Sequence, residues 1–152
     1  MKRHKVLEPF SRDHYEGLVV ARHLMKDRDE PALLACMKVW DEDMQDHFSE
    51  EEALLSEMAS PEMATRLRQE HEEIRHMVIS ARIGQLGPND IYTLGQKIYN
   101  HIRWEERVLF PAVEQSESIE SIGPATDAME KRRHNASHPL RAEQVNRRAN
   151  RV

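Results

Sequence analysis

The chain has 152 residues, 39% of them hydrophobic and 32% charged, with a formal net charge of −5. That length suits one domain around a single core, and the composition is that of a folded protein, not a disordered one. The negative balance argues against nucleic acid as the main partner, and no apolar run approaches the roughly 20 residues that cross a bilayer, so no membrane role is expected.

The opening residues, MKRHKVLEPF, lack the apolar centre and cleavage site of a signal peptide. The first helix is expected from about Ser11 to Asp27, where Leu18, Val19, Arg22 and Met25 share a stripe. Pro31 is preorganised for a first helical position and opens a second helix that runs to about Met58. Cys36, the lone cysteine, lies in it; with no internal disulfide to form, the cytoplasm is the expected location. Ser60-Pro61 reads as an N-cap and N1 proline for a third helix, lasting to about Ile83. A Gly- and Pro-containing loop from Gly84 to Asp90 precedes a fourth, from about Ile91 to Glu117.

Short connections between long helices make neighbours antiparallel, so the expected fold is all-α: an up-down-up-down four-helix bundle with a basic C-terminal extension. The bundle is placed at residues 1–120 and the tail at 121–152. Residues 131–152 hold seven Lys or Arg against one acid, Glu143, the composition of a solvated, partly disordered or partly helical tail.

Nine histidines are the feature that stands out. On a helix, His and Glu four residues apart lie on one face, about 40° apart around the axis, and aim at a common point. By itself that spacing is cheap. His4-Glu8 is read as coincidence, because Pro9 is expected to end any helix there. His23-Asp27 is a near-match, but His23 sits about 180° around the helix from His14. His4, His23, His76, His134 and His138 are therefore taken as surface or ordinary core residues.

Two matches differ in kind. His47 to Leu55 and His101 to Leu109-Phe110 share H-x-x-x-E-E-x-x-L, 54 residues apart, and the acid-His dipeptides Asp13-His14 and Glu70-His71 precede them, 57 residues apart. The chain reads as two helical hairpins, each giving one lone histidine and one H-x-x-x-E. Counted from the three turns at about 1.5 Å per residue, His14, His47, His71 and His101 fall within a few ångströms of one level. With Glu51 and Glu105 they would place four imidazoles and two carboxylates in the core. Such burial costs several kcal/mol without a partner, and a metal pair offsets it. Glu50 and Glu52 are read as a solvated face.

This combination resembles the hemerythrin-like family, the HHE cation-binding domain. The resemblance spans about Phe10 to Glu114 and rests on Asp13-His14, His47-Phe48-x-x-Glu51-Glu52, Glu70-His71 and His101-x-x-x-Glu105-Glu106-x-x-Leu109-Phe110-Pro111. It implies two Fe ions in an oxo- or hydroxo-bridged di-iron centre, with His14 and His47 on one iron, His71 and His101 on the other, and Glu51 and Glu105 bridging. Ligand type also admits Mn or Zn. The chain departs from the oxygen carriers at Arg75, where they place a further histidine; His76 lies about 140° from His71 and misses the site. An open position on the iron held by His71 and His101 is expected, unless water, Tyr15 or Glu16 fills it. This tells against simple reversible oxygen carriage.

The function expected is binding, sensing or scavenging of a small molecule (O₂, NO or peroxide) at a His₄Glu₂ centre. A di-iron peroxidase or oxidase, or an iron storage or donation protein, is the alternative, and whether the centre turns over a substrate stays open. The ferritin-like class needs Glu-x-x-His on two helices, and only Glu73-x-x-His76 matches. A metal-free interaction bundle is the remaining reading. No redox partner is indicated.

Overall fold

Each long helix begins where the sequence supplies a cap or a proline. The computed structural model describes residues 2–132, and these are helical with no strand among them. Helix α1 spans Glu8–Asp27 with Pro9 in its first turn. The proline that was expected to end a helix here instead starts one, because the missing N–H of a first-turn proline would have had no intrahelical partner anyway. α1 closes on Arg28 in a left-handed conformation (φ 50°), its N–H donating to the Leu24 carbonyl.

Asp29 then caps α2 (Glu30–Val39), its Oδ1 accepting from the Ala32 N–H at 3.0 Å. α2 passes through a π-helical turn, Trp40–Met44, into α3 (Gln45–Leu55), and backbone dihedrals stay helical across both junctions. These three segments make the single second helix expected. Ser60 Oγ caps α4 (Pro61–Arg82) at the Met63 N–H, 3.2 Å away, and Gly84 leaves that helix with φ 71°. α5 (Pro88–Trp104) opens with Asp90 Oδ2 accepting from the Gly87 N–H. A second π turn, Glu105–Leu109, joins it to α6 (Phe110–Glu114). Here the Phe110 N–H bonds to the Glu105 carbonyl, and Pro111, which has no N–H to give, follows directly. An unbroken α-helix would press the Pro111 ring on the Arg107 carbonyl; the wider turn relieves this.

The four rods pack as a helical bundle, α1 against α2 and α5, and α4 against α3 and α5. α1 and α5 approach closely at Gly95. A Cβ there would lie 2.8 Å from the Ala21 carbonyl oxygen and 3.0 Å from Leu24 Cβ, so only glycine fits.

Two apolar clusters fill the interior. One gathers Val20, Leu24, Trp40, Phe48, Ile74, Val78, Leu94 and Ile98. The other gathers Leu7, Phe10, Leu55, Leu67, Leu109, Phe110 and Val113. The second cluster also takes in Ile119, Ile122 and Met129, so the chain beyond α6 packs back on this end. The basic residues expected in a tail lie mostly beyond the described residues, as do His134 and His138. No described helix is long and apolar enough to cross a membrane.

Candidate metal centre

Between the two apolar clusters lies a polar layer. His14 comes from α1, His47 and Glu51 from α3, His71 from α4, His101 from α5, and Glu105 from the start of the second π turn. All six are buried, with Glu51, His71 and Glu105 at 0% exposure. Inside each H-x-x-x-E pair, helical spacing sets the contact: His47 Nε2 lies 3.1 Å from Glu51 Oε2, and His101 Nε2 lies 2.9 Å from Glu105 Oε1. Tertiary packing sets the others. His14 Nε2 is 3.2 Å from Glu105 Oε1, and His71 Nε2 is 3.1 Å from Glu51 Oε1. The donor atoms form two compact groups, His14–His47–Glu51–Glu105 and Glu51–His71–His101–Glu105, which share both carboxylates.

Most of these inward atoms have no hydrogen-bond partner. The Nε2 atoms of His14, His47 and His101, Oε2 of Glu51 and both oxygens of Glu105 are buried and unsatisfied. Short distances without hydrogen-bond alignment are what lone pairs aimed at a shared cation produce. A buried layer with this many orphaned polar atoms is otherwise costly, at about 1–3 kcal/mol for each atom. The donor set therefore fits two cations.

Every imidazole is also held from behind. Its Nδ1–H donates to a carboxylate: His14 to Glu106 (2.7 Å), His47 to Asp13 (2.9 Å), His71 to Glu52 (3.2 Å) and His101 to Glu70 (2.8 Å). In the neutral ring this leaves Nε2 as the acceptor, facing inward. The four pairs run in a ring around the bundle. Asp13 of α1 serves α3, Glu52 of α3 serves α4, Glu70 of α4 serves α5, and Glu106 serves α1. Each acid thus serves a histidine on a different rod, not its sequence neighbour. Glu52, read from sequence as solvated, is half-buried against His71 and belongs to this ring. The repeat of acid-His and His-x-x-x-Glu-Glu was visible in the sequence, but the cross-rod pairing it encodes was not.

Aromatic rings fix the imidazole planes. Phe48 lies flat on His71, with centroids 3.8 Å apart and planes at 5°, and Phe110 stacks on His14 at 5.4 Å and 8°. Arg75 turns outward to Glu72, with Nη1 at 2.6 Å from Oε2. A cavity reaches His14, His47, His101 and Glu105, walled by Gly17, Met44, Phe48, Ile98 and Ile102, with Asp13 and Asp43 also on its lining. His71 is not among its walls. The His71 ring is covered by Phe48, and the cavity meets the layer at His14, His47, His101 and Glu105.

Electrostatics follow the same plan. Burial by itself lowers a histidine pKa, but Glu105 and Glu70 outweigh it at His101 and push it up to about 10. His47 is likewise held well above the usual range: burial opposes this, and Glu51 and Asp13 prevail. Burial raises the Glu105 carboxyl, yet His101 and the other groups around it hold it well below the usual carboxylate range. Without metal, the neighbouring carboxylates favour a proton on His14, His47 and His101.

The remaining described histidines stay apart from the centre. His23 pairs with Asp27 on the surface, and His76 is exposed. His4 caps the short 3-10 turn that precedes α1 and contacts Glu120. Tyr15 is 72% exposed and does not approach the layer.

The model of the hemerythrin HHE cation binding domain matches residues 12–113, about two thirds of the chain. No curated protein and no solved structure matches it. The matched segment contains all six inward residues and the four carboxylates behind them, and the chain belongs to the hemerythrin HHE cation-binding family.

Proposed function

We propose that the four rods form an up-down-up-down bundle that holds a di-iron centre for binding, sensing or scavenging O₂, NO or peroxide. His14 and His47 would hold one iron, His71 and His101 the other, and Glu51 and Glu105 would join them. The observation that carries the reading is the layer of inward nitrogen and oxygen atoms with no hydrogen-bond partners, sealed between two apolar clusters. Imidazole with carboxylate suits iron among the first-row metals, and bound iron would supply electrons and an open coordination position.

The chain's own residues supply the rest. The Nδ1–carboxylate bonds fix each imidazole tautomer and orientation. Met44, Phe48, Ile98 and Ile102 give the cavity an apolar wall suited to an uncharged small molecule, and Gly17 leaves it room. A Cβ at Gly17 would meet Ile102 Cδ1 at 2.8 Å. With two shared glutamates in place of a carboxylate-rich set, such a centre would stabilise high-valent iron less, which would favour ligand binding over attack on strong C–H bonds.

A turnover reading, peroxidase or oxidase, draws on Asp13 and Asp43, carboxylates on the same cavity that could move protons. The cytoplasm remains the working location; Cys36 is buried with its thiol pushed up to about 12 and serves as packing. Metal analysis of protein expressed with ample iron, followed by absorbance on exposure of the reduced protein to NO, O₂ and peroxide, tests the proposal. Two irons per chain and a stoichiometric spectral change with a small molecule are expected. Helical protein that binds no metal refutes it, and sustained peroxide turnover transfers the assignment to the enzyme reading.

A further inference from the structure

The two groups of donors are alike: two imidazoles each, with both carboxylates shared. What stands behind the imidazoles differs between them. Asp13, Glu52 and Glu70 lie on the bundle's long helices, and Glu70 carries a guanidinium there, Arg66 Nε at 2.7 Å from its Oε2. Glu106 is gripped from outside them. The segment before α1 runs back across the bundle, and Arg3 places Nη2 at 2.8 Å from the Glu106 carbonyl oxygen and 3.1 Å from Glu106 Oε2. Its Nη1 bonds to Glu114 Oε1, which also accepts from the His4 N–H. The same guanidinium lies over the Phe110 ring, 5.3 Å from the centroid, and Phe110 stacks on His14. Ser11 Oγ donates to Glu106 Oε2 at 3.2 Å. Arg3 thus touches both groups that fix the His14 ring, from a position nine residues before the family match begins.

We propose that Arg3 is a positioning residue: acting through Glu106, it sets the orientation and donor strength of His14. This rests on the di-iron reading above. A guanidinium on one carboxylate oxygen draws charge from the other, so Glu106 accepts the His14 Nδ1–H less strongly and His14 is a weaker donor at Nε2. Arg3 would thereby make the iron beside His14 and His47, the one the cavity reaches through both its histidines, easier to reduce than it would be without the guanidinium.

The test compares iron-loaded wild type with Arg3→Gln, Arg3→Lys, Ser11→Ala and Glu114→Gln, measuring metal content, melting temperature and midpoint potential by spectroelectrochemistry. Arg3→Gln should keep its metal and move the potential to more negative values, raising the oxidised-to-reduced ratio severalfold at a fixed applied potential. Arg3→Lys keeps a cation beside Glu106 and should recover most of the shift. Ser11→Ala removes the other side-chain donor to Glu106 Oε2 and should move the potential the same way by less. Glu114→Gln loosens the same N-terminal segment without touching Glu106, so it should lower the melting temperature and leave the potential in place. An Arg3→Gln protein with both metals and the wild-type potential overturns the proposal, as does an equal shift in Glu114→Gln. If Arg3→Gln fails to load, Ser11→Ala decides, and an unmoved potential there overturns it. Wild type that binds no iron overturns the di-iron reading itself, and this proposal with it.

Discussion

Replacing Glu51 with glutamine removes one charge from the centre of the bundle while keeping the side-chain volume. Glu51 is fully buried, lies 3.1 Å from both His47 Nε2 and His71 Nε2, and belongs to both donor groups. In metal-free protein it faces a His47 imidazole whose pKa is held well above the usual range. Removing one partner of a buried ion pair costs about 3–5 kcal/mol. For a domain of this size, at about 3–4 °C per kcal/mol, the metal-free variant should melt about 10–20 °C below wild type. The loaded protein should suffer twice over, because the lost carboxylate serves both positions; most of the metal should be absent after desalting. Circular dichroism melts with and without chelator, alongside elemental analysis, give both quantities. A Glu51→Gln protein with the wild-type metal content, melting within a few degrees of wild type, would show that Glu51 does not join the two groups.

The carboxylates behind the imidazoles should behave differently. Glu52→Gln and Glu106→Gln each disturb one Nδ1 bond, so metal affinity should fall by about 10–100-fold without vanishing; competition with a graded chelator measures this, with the exposed Glu72→Gln as the unaffected reference. The pH dependence of metal-free protein follows from the raised histidines. His14, His47 and His101 bind protons more tightly when folded, the last at about 10, so their contribution is fully present below about pH 6.5 and lost as pH rises toward 10. Glu105 is depressed, so its contribution is lost as pH falls below about 4.5. The melting temperature with chelator should therefore be highest between these values and decline from pH 7 to 10, whereas loaded protein, with no inward protons to lose, should stay flatter; a rise over that range in the metal-free protein would contradict the pairing. Gly17→Ala would press on Ile102 Cδ1, 2.8 Å from the new Cβ, and push that side chain toward the cavity. Metal content should hold while stopped-flow binding of NO slows severalfold, and an unchanged rate would mean that small molecules reach the centre by another path.

Much of this was legible along the chain because helical structure is local. Ser60 and the prolines at 31 and 61 mark helix starts through bonds or dihedrals confined to a turn, whereas Pro88, read as part of a loop with the fourth helix expected from about Ile91, opens α5 itself. The two His-x-x-x-Glu pairs were visible for the same reason, since four residues return a helix to one face, and equal distances from the turns put His14, His47, His71 and His101 at one level. Pro9 misled because a proline can open a helix as readily as end one, and the choice depends on what precedes it. The π turn at Glu105–Leu109 had a local signal in Pro111, but the turn at Trp40–Met44 had none that spacing reveals.

What only the tertiary structure decided are the contacts that cross between rods. Sequence periodicity says which face a residue occupies, not which residue of a neighbouring rod stands opposite. Asp13 could as well have served His14 beside it; the packing of α1 on α3 assigns it to His47 instead. The same holds for Glu52 on His71, for Phe48 laid flat over that ring, and for the cavity lined by His14, His47, His101 and Glu105. Arg3 is the extreme case. It lies 103 residues from Glu106 along the chain, and only the return of the N-terminal segment across the finished bundle brings its charge to the acid that holds His14.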